Sequence, residues 1–121
     1  MIKINWKIDN NRPIYIQLLE QLKLKIVSGE IPIGSKIESV RNLAQEAEVN
    51  PNTMQKALSE LEREGLVFSK RTSGRYVTDD NKKVESIREE MANIHINYLK
   101  ETLEKLGYGK DEIIELIKQN L

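Results

Sequence analysis

Asn52, Gln55, Lys56, Ser59 and Arg63 recur at helical spacing within NPNTMQKALSELEREGL, residues 50–66, and share one face. A side-chain amide carries a donor and an acceptor side by side, which matches a base edge in the major groove, while hydroxyls and cations suit phosphate oxygens. No acid interrupts this face until Glu60. The other face carries Met54, Ala57, Leu58 and Leu61 at i, i+3, i+4 and i+7, an apolar stripe that needs a core to cover it. Asn50 is a good N-cap, Pro51 fits the first helical position, and Gly65 supplies a left-handed stop. The segment therefore suits a helix lying against anionic DNA, with Asn52 and Gln55 reading bases and Thr53 and Lys56 on phosphates. On periodicity alone, an ordinary solvated face is an equal reading.

The neighbouring elements decide between the two. Ser39 can cap a helix in which Val40, Leu43, Ala44 and Ala47 form the apolar stripe, and only Glu48 and Val49 separate it from Asn50. Helices joined by so short a turn cross steeply, as in a helix-turn-helix. Arg41 sits in the first turn, where a cation opposes the helix dipole; a nearby phosphate or base would explain it, and a plain surface arginine is the alternative. Downstream, LVFSKRTSGRYVT reads as two short strands around residues 71–74, with Ser73-Gly74 as turn signal. Lys70, Arg71 and Arg75 cluster at the tip, either against DNA or as gatekeepers of a sheet edge. Gly74 lets the backbone approach the sugar-phosphate chain, and Arg75 beside it is expected to enter the minor groove. A helix-turn-helix followed by a basic hairpin is a winged helix.

The rest of the chain frames this unit. Residues 1–12 form a short arm with Ile4, Trp6 and Ile8 in alternation, Trp6 being expected to plug onto the first helix or across a dimer. Pro13 opens that helix, which ends near Ser28-Gly29, and IPIGSKI is a loop with a short segment able to pair with the wing. Residues 79–82 read as a polar hinge, followed by a long helix from about 83 to 106 and a short one from about 110 to 120. The expected fold is mainly α with a small β-hairpin: a winged helix-turn-helix domain over 1–79 and a two-helix dimerisation tail over 80–121. In the tail Val84, Ile87, Met91, Ile94 and Tyr98 form a stripe that Leu99, Leu103 and Leu106 continue, and Ile113, Ile114, Leu116 and Ile117 follow. Two helices alone make too small a core to bury these. Two chains meeting through Ile87, Met91, Ile94, Tyr98, Leu103, Ile113 and Ile117 would cover them, giving a homodimer with two reading heads for a palindromic site.

Residues 13–78, with the helix pair and the wing SKRTSGRYV, resemble the DNA-binding domain of GntR-type transcription regulators. Glu38 stands where the family usually has proline, and Glu48 where it usually has glycine. The short two-helix tail is similar to the YtrA-like subgroup. The resemblance implies a homodimeric repressor, acting on its own operon and a neighbouring transporter of the ATP-binding-cassette type. It also implies DNA contact by the arginine matching Arg41.

Composition adds exclusions. The net charge is zero, yet residues 1–78 hold 12 basic against 9 acidic residues and residues 79–121 hold 7 against 10. A mildly basic front half and an acidic tail are a weak nucleic-acid signal. There is no cysteine, which suits a reducing cytoplasm, and His95 is the sole histidine, so clusters of His and Cys cannot bind metal within one chain. GEIPIGSK lacks the spacing of a phosphate loop, Asp79-Asp80 reads as a solvated pair, and no Ser has a His partner. No catalytic residue, metal or cofactor is expected. No apolar run approaches a membrane span and the N-terminus lacks the apolar stretch of a signal peptide. The partners expected are double-stranded DNA and a second copy; no pattern identifies a small-molecule effector.

Overall fold

The computed structural model describes residues 4–71 and 73–121. Among them, five helices and one hairpin follow in chain order: α1 (Ile14–Val27), α2 (Val40–Ala47), α3 (Pro51–Arg63), β1 (Val67–Lys70), β2 (Gly74–Val77), α4 (Asn81–Lys105) and α5 (Lys110–Gln119). The architecture is the expected one, mostly helical with a two-stranded antiparallel sheet. The chain forms two compact units, one up to Ser86 and one over Ile87–Leu121, and the division falls inside α4.

The first unit is built around α3. Its stripe Met54, Ala57, Leu58 and Leu61 is fully buried, and the helix packs on α1, α2 and β1. Leu18, Leu22 and Ile26 of α1, Leu43 and Ala44 of α2, and Leu66, Val67 and Val77 around the hairpin complete the core. Burying such side chains is the main drive that holds the helices in place. Both ends of α3 are closed as their residue types dictate. The Asn52 amide donates to the Asn50 side chain at 2.8 Å. Beyond the other end Gly65 takes φ +83°, its N–H donates to the Glu62 carbonyl, and the Leu66 N–H donates to the Leu61 carbonyl, a Schellman closure.

The turn between α2 and α3 uses the same closure with the wrong residue type. Ser39 caps the start of α2 by accepting from the Asn42 amide at 3.1 Å, and Glu38 accepts from the Asn42 side chain at 2.8 Å, so the acid fits where proline was expected. At the other end Glu48 adopts φ 57°, ψ 46°, the left-handed conformation, and is the one described non-glycine residue with positive φ. Its N–H donates to the Gln45 carbonyl and the Val49 N–H to the Ala44 carbonyl. Glu48→Gly should therefore raise stability by about 0.5–1 kcal/mol, the left-handed strain relieved less the extra freedom glycine gives the unfolded chain. Urea denaturation checks this: the midpoint should rise with the slope unchanged, and a lower midpoint would show that the Glu48 side chain is needed.

The hairpin pairs Val67 with Val77, Phe68 with Tyr76, Ser69 with Arg75 and Lys70 with Gly74. The loop before α2 joins it as expected. The Val77 N–H donates to the Ser35 carbonyl at 2.8 Å and the Ile37 N–H to the Arg75 carbonyl at 2.9 Å, with Lys36 bridging Tyr76. The N-terminal arm is laced to α1 by two amides one turn apart. Gln21 exchanges bonds with the backbone of Lys7, and the buried Gln17 with that of Asp9, each amide acting like a strand residue. Trp6 in this arm is half-buried.

Helix α4 starts before residue 83, because the Asp80 carboxylate accepts from the Lys83 amide at 3.2 Å and caps it. Gly107, at φ +98°, ends it as expected, and the Gly109 N–H donates to Glu112 at the start of α5. No described helix is long and apolar enough to cross a membrane.

Candidate nucleic-acid interface

With residues 54, 57, 58 and 61 buried, helical geometry turns 52, 55, 56, 59 and 63 outward, and Asn52, Gln55, Lys56, Ser59 and Arg63 are all exposed, with Thr53 half-buried beside them. The Gln55 amide nitrogen donates to Ser59 at 3.2 Å, which leaves its oxygen unspent. The Lys56 ammonium sits 3.8 Å from the centre of the Tyr15 ring on α1, a cation–π contact that presets a flexible side chain. The acid expected to end this cationic face is neutralised. Arg63 holds Glu60 in two bonds of 2.7 and 3.0 Å and pulls its carboxyl below the ordinary carboxylate range. Arg41 is exposed in the first turn of α2.

The wing supplies a second cationic group. Lys70 and Arg71 are exposed, and the Lys70 ammonium lies 4.3 Å from the Tyr76 ring centre, with Phe68 stacked on Tyr76 at 6.1 Å. These side chains and Lys36 belong to the outer face of the hairpin. Gly74 is exposed at φ +110°, and a Cβ there would stand 3.2 Å from the Lys36 side chain. Gly74→Val should thus force about 1–3 kcal/mol of strain into the wing. Weaker operator binding with unchanged helix content and unchanged oligomeric state is the expected result in gel-shift, circular dichroism and sedimentation. Wild-type affinity would remove the wing from the binding surface. Thr72 of this tip lies outside the described residues.

Arg75 departs from the sequence expectation. It pairs across the hairpin with Ser69, on the same face as the buried Val67 and Val77, so strand alternation turns it inward, away from the tip. Its Nε donates to the Glu62 carboxylate of α3 at 2.7 Å, and its side chain is 20% exposed. The same Glu62 oxygen accepts from the Ser69 hydroxyl at 2.5 Å. Ser69 first and Arg75 after it hold the Glu62 carboxyl below its ordinary value, against the opposing effect of burial. Glu62 was missed in the sequence reading. Counting outward from Val67 and Val77 by twos, which puts Ser69 and Arg75 on the inner face, would have found it.

The tail residues divide in the same way. Ile94 is 66% exposed and Tyr98 73%, while Met91, Leu103, Ile113 and Ile117 are half-buried. Ile87 differs from these: it is buried, 6% exposed, as is Val84. Ile96, outside the expected stripe, is 58% exposed and joins Leu99, Ile113, Ile114 and Ile117 along an apolar groove between α4 and α5. The 96–99–103 spacing carried that signal.

The family model described as bacterial regulatory proteins, gntR family, matches residues 14–77. The HTH-type transcriptional repressor YtrA of Bacillus subtilis is 37% identical over 117 residues, covering 90% of each chain. A GntR family transcriptional regulator from Listeria monocytogenes superposes with a TM-score of 0.88 at 35% identity, over 93% of this chain and 98% of that one. The DNA-binding domain of AraR in complex with operator ORX1 superposes with a TM-score of 0.58 at 25% identity, over 64% of this chain and all of that one.

Proposed function

Since this chain belongs to the GntR family of bacterial regulatory proteins, we propose that it is a homodimeric repressor that binds a palindromic operator in the cytoplasm. It is a DNA-binding transcription regulator and not an enzyme. The observation that carries the reading is the exposed face of α3, amides and a lysine with Glu60 paired to Arg63, beside a hairpin bearing Lys70, Arg71 and an exposed Gly74. Asn52 and Gln55 read base edges; Arg41, Thr53, Lys56, Lys70 and Arg71 hold phosphates; the Gly74 backbone approaches the sugar-phosphate chain.

The dimer reading rests on the apolar surface that one chain leaves open at Ile94, Ile96, Tyr98, Leu99, Leu106 and Ile114, far more than scattered exposure accounts for. A two-fold dimer places two identical reading heads on a two-fold site. Repression is supported by the likeness to YtrA along nearly the whole chain. The regulated genes are its own operon and a neighbouring transporter of the ATP-binding-cassette type, as the YtrA-like tail implies. A gel-shift with the chain's own promoter at two salt concentrations tests the reading. Specific retardation that weakens steeply with salt is expected; absence of any shift at micromolar chain would make the winged helix a protein-interaction module.

A further inference from the structure

We propose that Glu62, Ser69 and Arg75 form a latch that fixes the wing on the recognition helix, with Arg75 a positioning residue that acts through Glu62 and does not itself contact DNA. The inference rests on the DNA-binding reading for its function and on geometry alone for the latch.

One carboxylate oxygen receives both bonds, 2.5 Å from the Ser69 hydroxyl and 2.7 Å from Arg75 Nε. Ser69 lies on β1 and Arg75 on β2, and the two are register partners. A single atom of α3 therefore clamps both strands at one cross-strand pair. The next pair outward is Lys70 with Gly74, so the clamp lies immediately below the tip that is to meet the backbone of DNA. Two-stranded ribbons are weak by themselves, and a tip is only as well placed as the pair beneath it.

Charge points the same way. Glu62 is an acid on the helix that faces a polyanion, and Arg75 cancels it at the point where it would repel phosphate. The arginine is largely enclosed, 20% exposed, and would have to abandon this carboxylate to reach a groove. Removing either partner of such a bonded pair leaves the other uncompensated, which costs more than the pair itself contributes. Ser69 adds the uncharged half of the latch, so its removal probes position without altering charge.

The experiment compares wild type, Glu62→Ala, Arg75→Ala, Ser69→Ala and the Glu62→Ala/Arg75→Ala double variant. Without DNA, amide hydrogen exchange in residues 67–77 should quicken in all four variants while α1 amides stay protected. With operator DNA, both charged single variants should bind roughly tenfold more weakly, Ser69→Ala roughly threefold, and the double variant no more weakly than either single, as expected for groups in one network. Discrimination between operators that differ only in the flanks under the wing should fall in each. A general loss of stability would scale all sequences alike and leave that discrimination intact. If Arg75 contacts DNA directly, Arg75→Ala weakens binding while Glu62→Ala binds as wild type or tighter, and that result would overturn the proposal. Wing exchange unchanged in Glu62→Ala would overturn it without reference to DNA, and failure of the wild type to bind its promoter would refute the functional reading while leaving the exchange result to judge the latch.

Discussion

The chain carrying Ile94→Asp and Tyr98→Asp should sediment at 14.0 kDa, where the wild type should sediment at twice that mass. It should also lose about 10²–10⁴-fold in operator affinity, because the second half-site is then no longer bound at the high effective concentration that linkage provides. Both side chains are more than half exposed in a single chain, so a lone protomer has little packing to lose by the exchange. A partner surface has much to lose, since a buried unpaired carboxylate is strongly disfavoured. The α-helical signal and the melting of the first unit should be unchanged, which separates loss of the dimer from loss of the fold. A wild type that is monomeric at micromolar concentration would contradict the assignment of the tail.

The second large effect is expected on α3. Gln55→Ala should relax the preference at one base pair of each half-site, at a cost of about 1–3 kcal/mol, because an exposed amide that turns from Ser59 can give and accept paired bonds at a base edge. Lys56→Ala should weaken binding to all sequences alike and lower the salt slope by roughly one, the signature of a lost phosphate contact. The ring of Tyr15 beneath Lys56 makes that lysine cheaper to order and so strengthens its contribution. Titration of a panel of single-substitution operators at two salt concentrations distinguishes the two roles. Equal affinity losses on every operator for Gln55→Ala would show that Gln55 does not read sequence.

Much of this was legible in the chain because its signals agree. The caps Ser39 and Asn50, the stop at Gly65 and the two short strands around Ser73-Gly74 each mark a boundary by local chemistry, and the structure uses each of them. The third segment of the wing was legible from its position before α2 and bonds as expected through Ser35 and Ile37. The inward turn of Arg75 was harder to see, since proximity to Gly74 in sequence suggests the tip whereas strand alternation assigns it the other face. The early part of the tail stripe was hard to read for a different reason. Apolar spacing tells which residues need cover but not which cover they find, and Val84 and Ile87 find theirs within one chain. Glu48 is a local misfit that tertiary packing overrides, as the neighbouring helices hold the turn against the residue's preference.

Hydroxyl-radical footprinting of the wild type on its own promoter shows whether two reading heads occupy one two-fold site. Two protected patches related by a dyad are expected, their centres a whole number of helical turns apart, about 10–10.5 base pairs per turn, with protection of both appearing together as the chain is titrated. A single asymmetric patch, or two patches filled independently, would contradict the homodimer.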